Sequence, residues 1–236
     1  MFSNGAHLFE ISILSVLKRQ WIVQSLLVGL LAAPTALAKT SFGGMVGYNQ
    51  GVLTRSTEEK FTGYSTQGFV GYQVWRGLEA RAFFQHMDLA YEHQGEAFTG
   101  IYSLSGLGLG YSAGVGRGTL TGIFQIPLNS AYIVLSETTG NVNGKNYIHS
   151  TLTALQGGQA FQVIAGYQYR VVGSGKKTSE DFYFGTFLGY LSQTFATQTT
   201  RIKTNKSVLA PRSPGSESGD YKVTLLSLNF SVNYDL

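Results

Sequence analysis

The chain has 236 residues, of which 43% are hydrophobic and only 13% charged, with 30 glycines, 29 aromatics counting Phe and Tyr, and no cysteine. The charged fraction is about half the ~25% of a soluble protein, which suits a barrel with an apolar skin and an uncharged polar interior better than a water-soluble enzyme. A dispersed net charge of +4 is too weak for a nucleic-acid footprint, and the lack of cysteine excludes disulfides and thiolate metal sites.

The first element in chain order is an export signal. Lys18-Arg19 precedes an apolar run from Trp21 to Ala33, and Pro34-Thr35-Ala36-Leu37-Ala38 follows. A basic start, a short apolar run and a small-x-small end are the parts of a secretory signal peptide, helical until it is removed. The run is shorter than the ~20 residues that a membrane-spanning helix needs. Cleavage after Ala38 starts the mature chain at Lys39 and divides the sequence into a signal (1–38) and one β-barrel domain (39–236). Met1 to Leu17 form an unusually long lead. Beyond Ala38 no stretch is apolar enough for a spanning helix, so a mature chain that spans must do so as a closed barrel.

Strand side chains point alternately to opposite faces, so strands are sought as period-two patterns. Strand one, near Ser41 to Gln50, sets Phe42, Val46 and Tyr48 against Ser41, Met45 and Asn49. Strand two, Tyr64 to Trp75, sets Tyr64, Val70, Tyr72 and Val74 against Ser65, Gln67 and Gln73. In strand three, Leu78 to Met87, Leu78, Ala80, Ala82 and Phe84 oppose Glu79, Arg81 and Gln85. Strand four, about Ile101 to Val115, is rich in glycine but aligns Leu107, Leu109, Tyr111, Ala113 and Val115. Strand five, Thr119 to Leu128, carries Leu120, Phe124, Ile126 and Leu128 opposite Thr119, Thr121 and Gln125. Strand six, Phe161 to Val171, carries Phe161, Val163, Ala165, Tyr167, Tyr169 and Val171 opposite Gln162, Gln168 and Arg170. Strand seven, Phe182 to Ser192, is apolar on both faces, so its facing stays open. The last strand alternates without error: Leu226, Leu228, Phe230, Val232, Tyr234 and Leu236 against Ser227, Asn229, Ser231, Asn233 and Asp235. A helix would scatter those residues around its whole surface.

These segments predict an all-β, antiparallel up-and-down transmembrane barrel of about eight strands, each near the length that a tilted strand needs to cross a bilayer. Short links, Trp75-Arg76-Gly77, Gly116-Arg117-Gly118 and Gly173 to Lys177, alternate with long ones, as periplasmic turns and external loops do in bacterial barrels. The long link from Asn129 to Ala160 holds Ala131 to Leu135 and Tyr147 to Leu152 around Asn141-Val142-Asn143-Gly144, a hairpin signal. It predicts that strands five and six continue above the membrane as a protruding hairpin; a ten-strand barrel is the alternative. A soluble lipocalin-like barrel would carry lysines and glutamates on its outer face, whereas here the apolar face has almost none and most charges lie in loops.

In this organisation the chain resembles the small bacterial outer-membrane barrel superfamily, which includes the transmembrane domain of outer-membrane protein A and outer-membrane proteins X and W. The resemblance covers Lys39 to Leu236 as architecture. Its most specific part is the terminal strand, where Phe230, Val232, Tyr234 and Leu236 resemble the assembly signal read by the barrel-insertion machinery, with Leu236 where phenylalanine is usual. The resemblance implies anchoring, adhesion, envelope or narrow-pore roles without choosing among them.

Few residues point to chemistry. Strand phase puts Glu79, Arg81, Arg170 and Asp235 inside, near the periplasmic end, where opposite charges in a poorly solvated lumen need partners. They are expected to form an ion-pair cluster that plugs the barrel. Arg201, Lys203, Lys206 and Arg212 in the last long loop are candidates for contact with lipopolysaccharide phosphates, or a solvated loop. His149 and Ser150 are adjacent, so alternation points them apart. His86 and His93, with Asp88 and Glu92 near, match no structural zinc spacing, and the Gly106 to Gly118 run lacks the ending of a phosphate loop. The sequence therefore predicts a monomeric, non-enzymatic outer-membrane protein without cofactor, metal or nucleic acid, structural in the envelope or making contacts at the surface. Its partners are outer-membrane lipids, lipopolysaccharide and the insertion machinery. A narrow channel or small-solute carrier is the alternative, and a lipid A-modifying enzyme has the least support.

Overall fold

The computed structural model of the chain describes residues 39–54, 58–93, 96–142, 145–171, 181–204 and 215–235; side chains at 91–97, 136–151, 181 and 199–220 fall outside this description. The signal segment, the Gly173 to Lys177 turn and Leu236 lie outside the described residues.

Nine strands are present among the described residues: β1 (Thr40–Thr54), β2 (Glu58–Trp75), β3 (Leu78–His93), β4 (Glu96–Val115), β5 (Gly118–Val142), β6 (Lys145–Gln156), β7 (Gln159–Val171), β8 (Asp181–Thr204) and β9 (Gly215–Asp235). Each pairs antiparallel with its neighbours, and β9 returns to β1 with Phe42 opposite Tyr234. The β1–β9 ladder closes the ring, so no edge is left open. Because β6 and β7 both lie between β5 and β8, one above the other, the ring has eight positions. The continued hairpin is thus the arrangement found, and the ten-strand alternative is not. At about 3.3 Å per residue, the 25 residues of β5 reach far beyond a bilayer, so the upper parts of β4, β5, β6, β8 and β9 form a β-extension outside it.

The facing follows the period-two reading. Ser227, Asn229, Ser231 and Asn233 are buried in the lumen, while Leu226, Leu228, Phe230 and Val232 are exposed on the outer wall. The outer face carries an apolar band, bordered above by Tyr48 and Tyr64 (ring centroids 5.7 Å apart) and by Phe161 and Tyr190 (5.9 Å). Below it lie Phe42 and Tyr234 (5.1 Å), with Trp75 exposed at the lower turn. These are the two aromatic girdles of a membrane barrel.

β8, apolar on both faces, is settled by size. Glycines 185 and 189 share the inward row with Phe187, Leu191 and Phe195, while Phe184, Leu188 and Tyr190 face out. Small residues between large ones let an eight-strand lumen fill without overpacking. Two irregularities flank the long hairpin. Gly106 pairs with Pro127 but Ser105 with Asn129, so β5 bulges at Leu128. Between β6 and β7, Gly157 and Gly158 take φ of +74° and +79°, the left-handed region open to glycine.

An arginine in place of Leu109, near the middle of the apolar band on the outer wall of β4 and well exposed, is expected to cost about 2–4 kcal/mol of unfolding free energy in phospholipid vesicles. Urea titration of the refolded protein measures it. A change within about 0.5 kcal/mol, as for an ordinary water-exposed position, would contradict a lipid-facing wall.

Candidate functional site

The lumen is filled at three heights. Near the periplasmic end, Glu79 and Arg81 stand two residues apart on β3 and so share the inward face. Arg81 donates to the Glu79 carboxylate through Nε and Nη2, both at 2.9 Å. Ser41 Oγ on β1 donates to the same carboxylate at 2.5 Å. The guanidinium stacks over the Phe69 ring, 4.3 Å from its centroid. This geometry requires glycine at 71, because a Cβ there would fall on the Glu79 carboxylate. Arg81 is almost fully buried and Glu79 nearly so, so each charge depends on the other.

The other two residues expected in this cluster are placed differently. Asp235 is half-buried on the inward row, opposite Ser41. Arg170 keeps the inward phase of β7 but is exposed. With Arg117, Thr119 and Tyr183 it lines a cavity of about 670 Å³ at the periplasmic mouth. Its height explains the difference: Arg170 is one residue from the end of β7, too low for the wall to cover it.

Above the ion pair, carboxamides cross the lumen. Gln67 Nε2 on β2 donates to Gln125 Oε1 on β5 at 3.2 Å, between strands three positions apart in the ring. Higher still the interior turns apolar. Tyr102 (β4), Tyr132 (β5) and Phe195 (β8) are fully buried and pack with centroids 5.7, 5.9 and 6.3 Å apart. The Tyr102 hydroxyl donates to Gln193 Oε1 at 3.2 Å. Phe61, Met87, Leu89, Leu104, Leu191 and Val223 belong to the same core. The sequence reading singled out none of the aromatic layer. The one available signal was pairs such as Phe83-Phe84, where alternation sends one aromatic inward.

The remaining candidates are dispersed. His86 Nε2 lies 3.4 Å from Asp88 Oδ1 and its Nδ1 3.3 Å from Ser103 Oγ, on the outer face near the upper rim. No group of three metal-capable side chains gathers among the described residues. His149 and Ser150 pair with Thr138 and Glu137 on the β5–β6 hairpin, and their side chains lie outside the description. Arg201 and Lys203 sit on β8 opposite Leu152 and Ser150; their side chains, with Lys206 and Arg212, lie outside it. Phe230 and Val232 face outward on β9, and Tyr234 stands against Phe42 in the lower girdle.

A closed antiparallel ring with an apolar, girdled exterior, a filled interior and two-residue turns at one end has the architecture of an outer-membrane β-barrel. Among solved structures, the chain is similar to neisserial surface protein A, with 12% identity and a TM-score of 0.35 over 81% of this chain and 96% of that one. It is also similar to Ail, the attachment invasion locus protein of Yersinia pestis (12%, TM-score 0.40, 83% and 98%), solved with the heparin analogue sucrose octasulfate. A third is the translocator domain of the autotransporter NalP from Neisseria meningitidis (13%, TM-score 0.33, 95% and 97%). No family model and no curated protein matches the sequence.

Arg81→Ala is expected to destabilise the barrel by about 3–5 kcal/mol, because it strands the Glu79 carboxylate in the lumen. The double change Glu79→Gln with Arg81→Met is expected to restore most of that loss. Urea unfolding of the three proteins in one lipid is the measurement; equal stability of Arg81→Ala and the parent would show that the pair carries no weight.

Proposed function

We propose that the protein is a non-enzymatic outer-membrane barrel with a non-conducting lumen, which acts through its extracellular β-extension in an envelope-structural or surface-interaction role. The observation that carries this reading is the filled lumen. The Tyr102–Tyr132–Phe195 layer and the Gln67–Gln125 bond occupy the cross-section at two heights, and an eight-strand ring has little width beyond its own side chains. Much of the chain's length instead goes into strands that rise past the membrane, which a barrel needs for contact and not for closure. A narrow channel or carrier is the competing reading, and it requires the aromatic layer to move aside.

In this reading the surrounding lipids and lipopolysaccharide are partners. Arg201, Lys203, Lys206 and Arg212 would supply charge for phosphates, and Phe230, Val232, Tyr234 and Leu236 would be read by the insertion machinery. The chain would work as a monomer, since closure leaves no edge to pair.

Planar-bilayer recording of the purified protein tests the reading. The parent is expected to give no steady open state. Replacing Tyr102, Tyr132 and Phe195 together by alanine is expected to raise conductance if the variant still shifts on boiling in a detergent gel. Stable, ion-selective openings of the parent would overturn the non-conducting barrel in favour of the channel.

A further inference from the structure

The barrel wall is interrupted at one place. β5 pairs with β7 from Gly118 to Gln125, where Gln125 stands opposite Gln162. It pairs again, with β6, only from Ala131, opposite Gln156. In between, Ile126 to Ser130 face Gly157 to Phe161 with no ladder. The local sequence produces this seam. Pro127 has no N–H to give, and Leu128 is the additional residue of the β5 bulge. Gly157 and Gly158 turn the opposite segment out of strand geometry, and a Cβ on Gly158 would strike the Thr194 carbonyl.

From within, the seam is closed by one buried side chain: Gln193 Nε2 donates to the carbonyls of Gly157 and Thr194, both at 3.1 Å. From the outside, the exposed Thr197 Oγ1 donates to the Gln156 carbonyl at 3.1 Å, at the seam's upper end. Below that bond the outer side of the seam is exposed. Leu128 is 65% exposed and Phe161 41%, and Asn129, Gln156 and Gln159 are exposed beside them.

Its height is set by physics. Leu128 is ten residues above the start of β5; at about 3.3 Å per residue and a tilt of about 40°, that is roughly 25 Å, the height of the apolar band. Backbone groups without partners do not lie in hydrocarbon, so the seam sits at the headgroup level of the outer leaflet. Below it the wall presents Phe124, Ile126 and Val163, exposed and apolar. At the seam it offers the side-chain amides of Asn129, Gln156 and Gln159 and, at Leu128, Gly157 and Gly158, backbone in no ladder, while Ile126, Pro127, Asn129 and Ser130 pair with β4 and Gln159 to Phe161 with β8. Above it, Arg201 and Lys203 occupy β8 register positions opposite β6.

We propose that the β5–β7 seam is a docking site for an outer-leaflet glycolipid. Sugar hydroxyls bond to the backbone of Leu128, Gly157 and Gly158 and to the side chains of Asn129, Gln156 and Gln159, and an acyl chain lies on Ile126, Leu128 and Phe161. A glycolipid fits where a plain phospholipid does not, because the polar fringe is a row of neutral donors and acceptors. The apolar chain below makes the site continuous with the lipid-facing band. This inference rests on the lipopolysaccharide partnership proposed above, at a different site, and not on a contact role for the extension, so its failure leaves the non-conducting, surface-contact reading standing.

Amide hydrogen exchange in nanodiscs tests it, with phosphatidylethanolamine alone, with added hexa-acylated lipid A, or with added phosphatidylglycerol. The amides of Leu128, Gly157 and Gly158, which stand in no ladder, are expected to exchange in phosphatidylethanolamine alone. Lipid A is expected to slow them by about tenfold, the effect of one or two net hydrogen bonds. Asn129→Ala with Gln159→Ala, or Gln159→Ala alone should the pair fail to fold, is expected to remove most of that slowing and retain less lipid A through purification. The proposal is overturned if these amides are already as protected as ladder amides without lipid A, or if phosphatidylglycerol slows them equally. It is also overturned if a folded variant keeps its lipid A.

Discussion

A backbone in lipid has no water to bond, so each N–H and C=O must find a partner within the protein. Closure of β9 onto β1 meets that demand around the ring. No helix of the described residues is long and apolar enough to cross a membrane. The same constraint orders the side chains. Once the ring is closed, residues alternate between lipid and lumen, and the chain can be apolar outside without an apolar core in the usual sense.

Closure at eight positions then fixes the lumen's width, and the interior is packed to suit it. Near the periplasmic end charge enters as the Glu79–Arg81 pair, fastened by Ser41 and Phe69 and given room by Gly71, with Asp235 half-buried on the same inward face. Carboxamides and an aromatic layer occupy the heights above. Filling the lumen this way stabilises the barrel, and it is the ground on which a role at the outer wall and the extension is proposed. The seam between β5 and β7 is the exception to closure, and it falls where the lipid's demand ends. Gln193 meets from inside what the missing ladder leaves.

Much of this was legible in the chain. Strand phase was written most clearly in Leu226 to Asp235, where every residue votes for the same facing, and the pairing of Glu79 with Arg81 followed from their spacing of two. Arg170 had the right phase but the wrong surroundings, because phase gives the side of the wall and not the depth of cover at its rim. The Tyr102–Tyr132–Phe195 layer was hidden for another reason. Aromatics fit lipid, girdle and lumen alike, and the three residues are brought together only when β4, β5 and β8 converge across the ring.

The sequence by itself determined the strands, their facing everywhere but in β8, and the alternation of short and long connections, because lipid and lumen impose opposite polarities on neighbouring residues. Through the turn signal at Asn143-Gly144 it also favoured one extended hairpin of strands five and six over a ten-strand ring. Only the tertiary structure decided that β6 and β7 share one place in the ring, that the lumen is filled, and that the wall opens between Gln125 and Ala131. Those features depend on register and on contacts between strands far apart in the chain, and periodicity along a single strand carries no record of either.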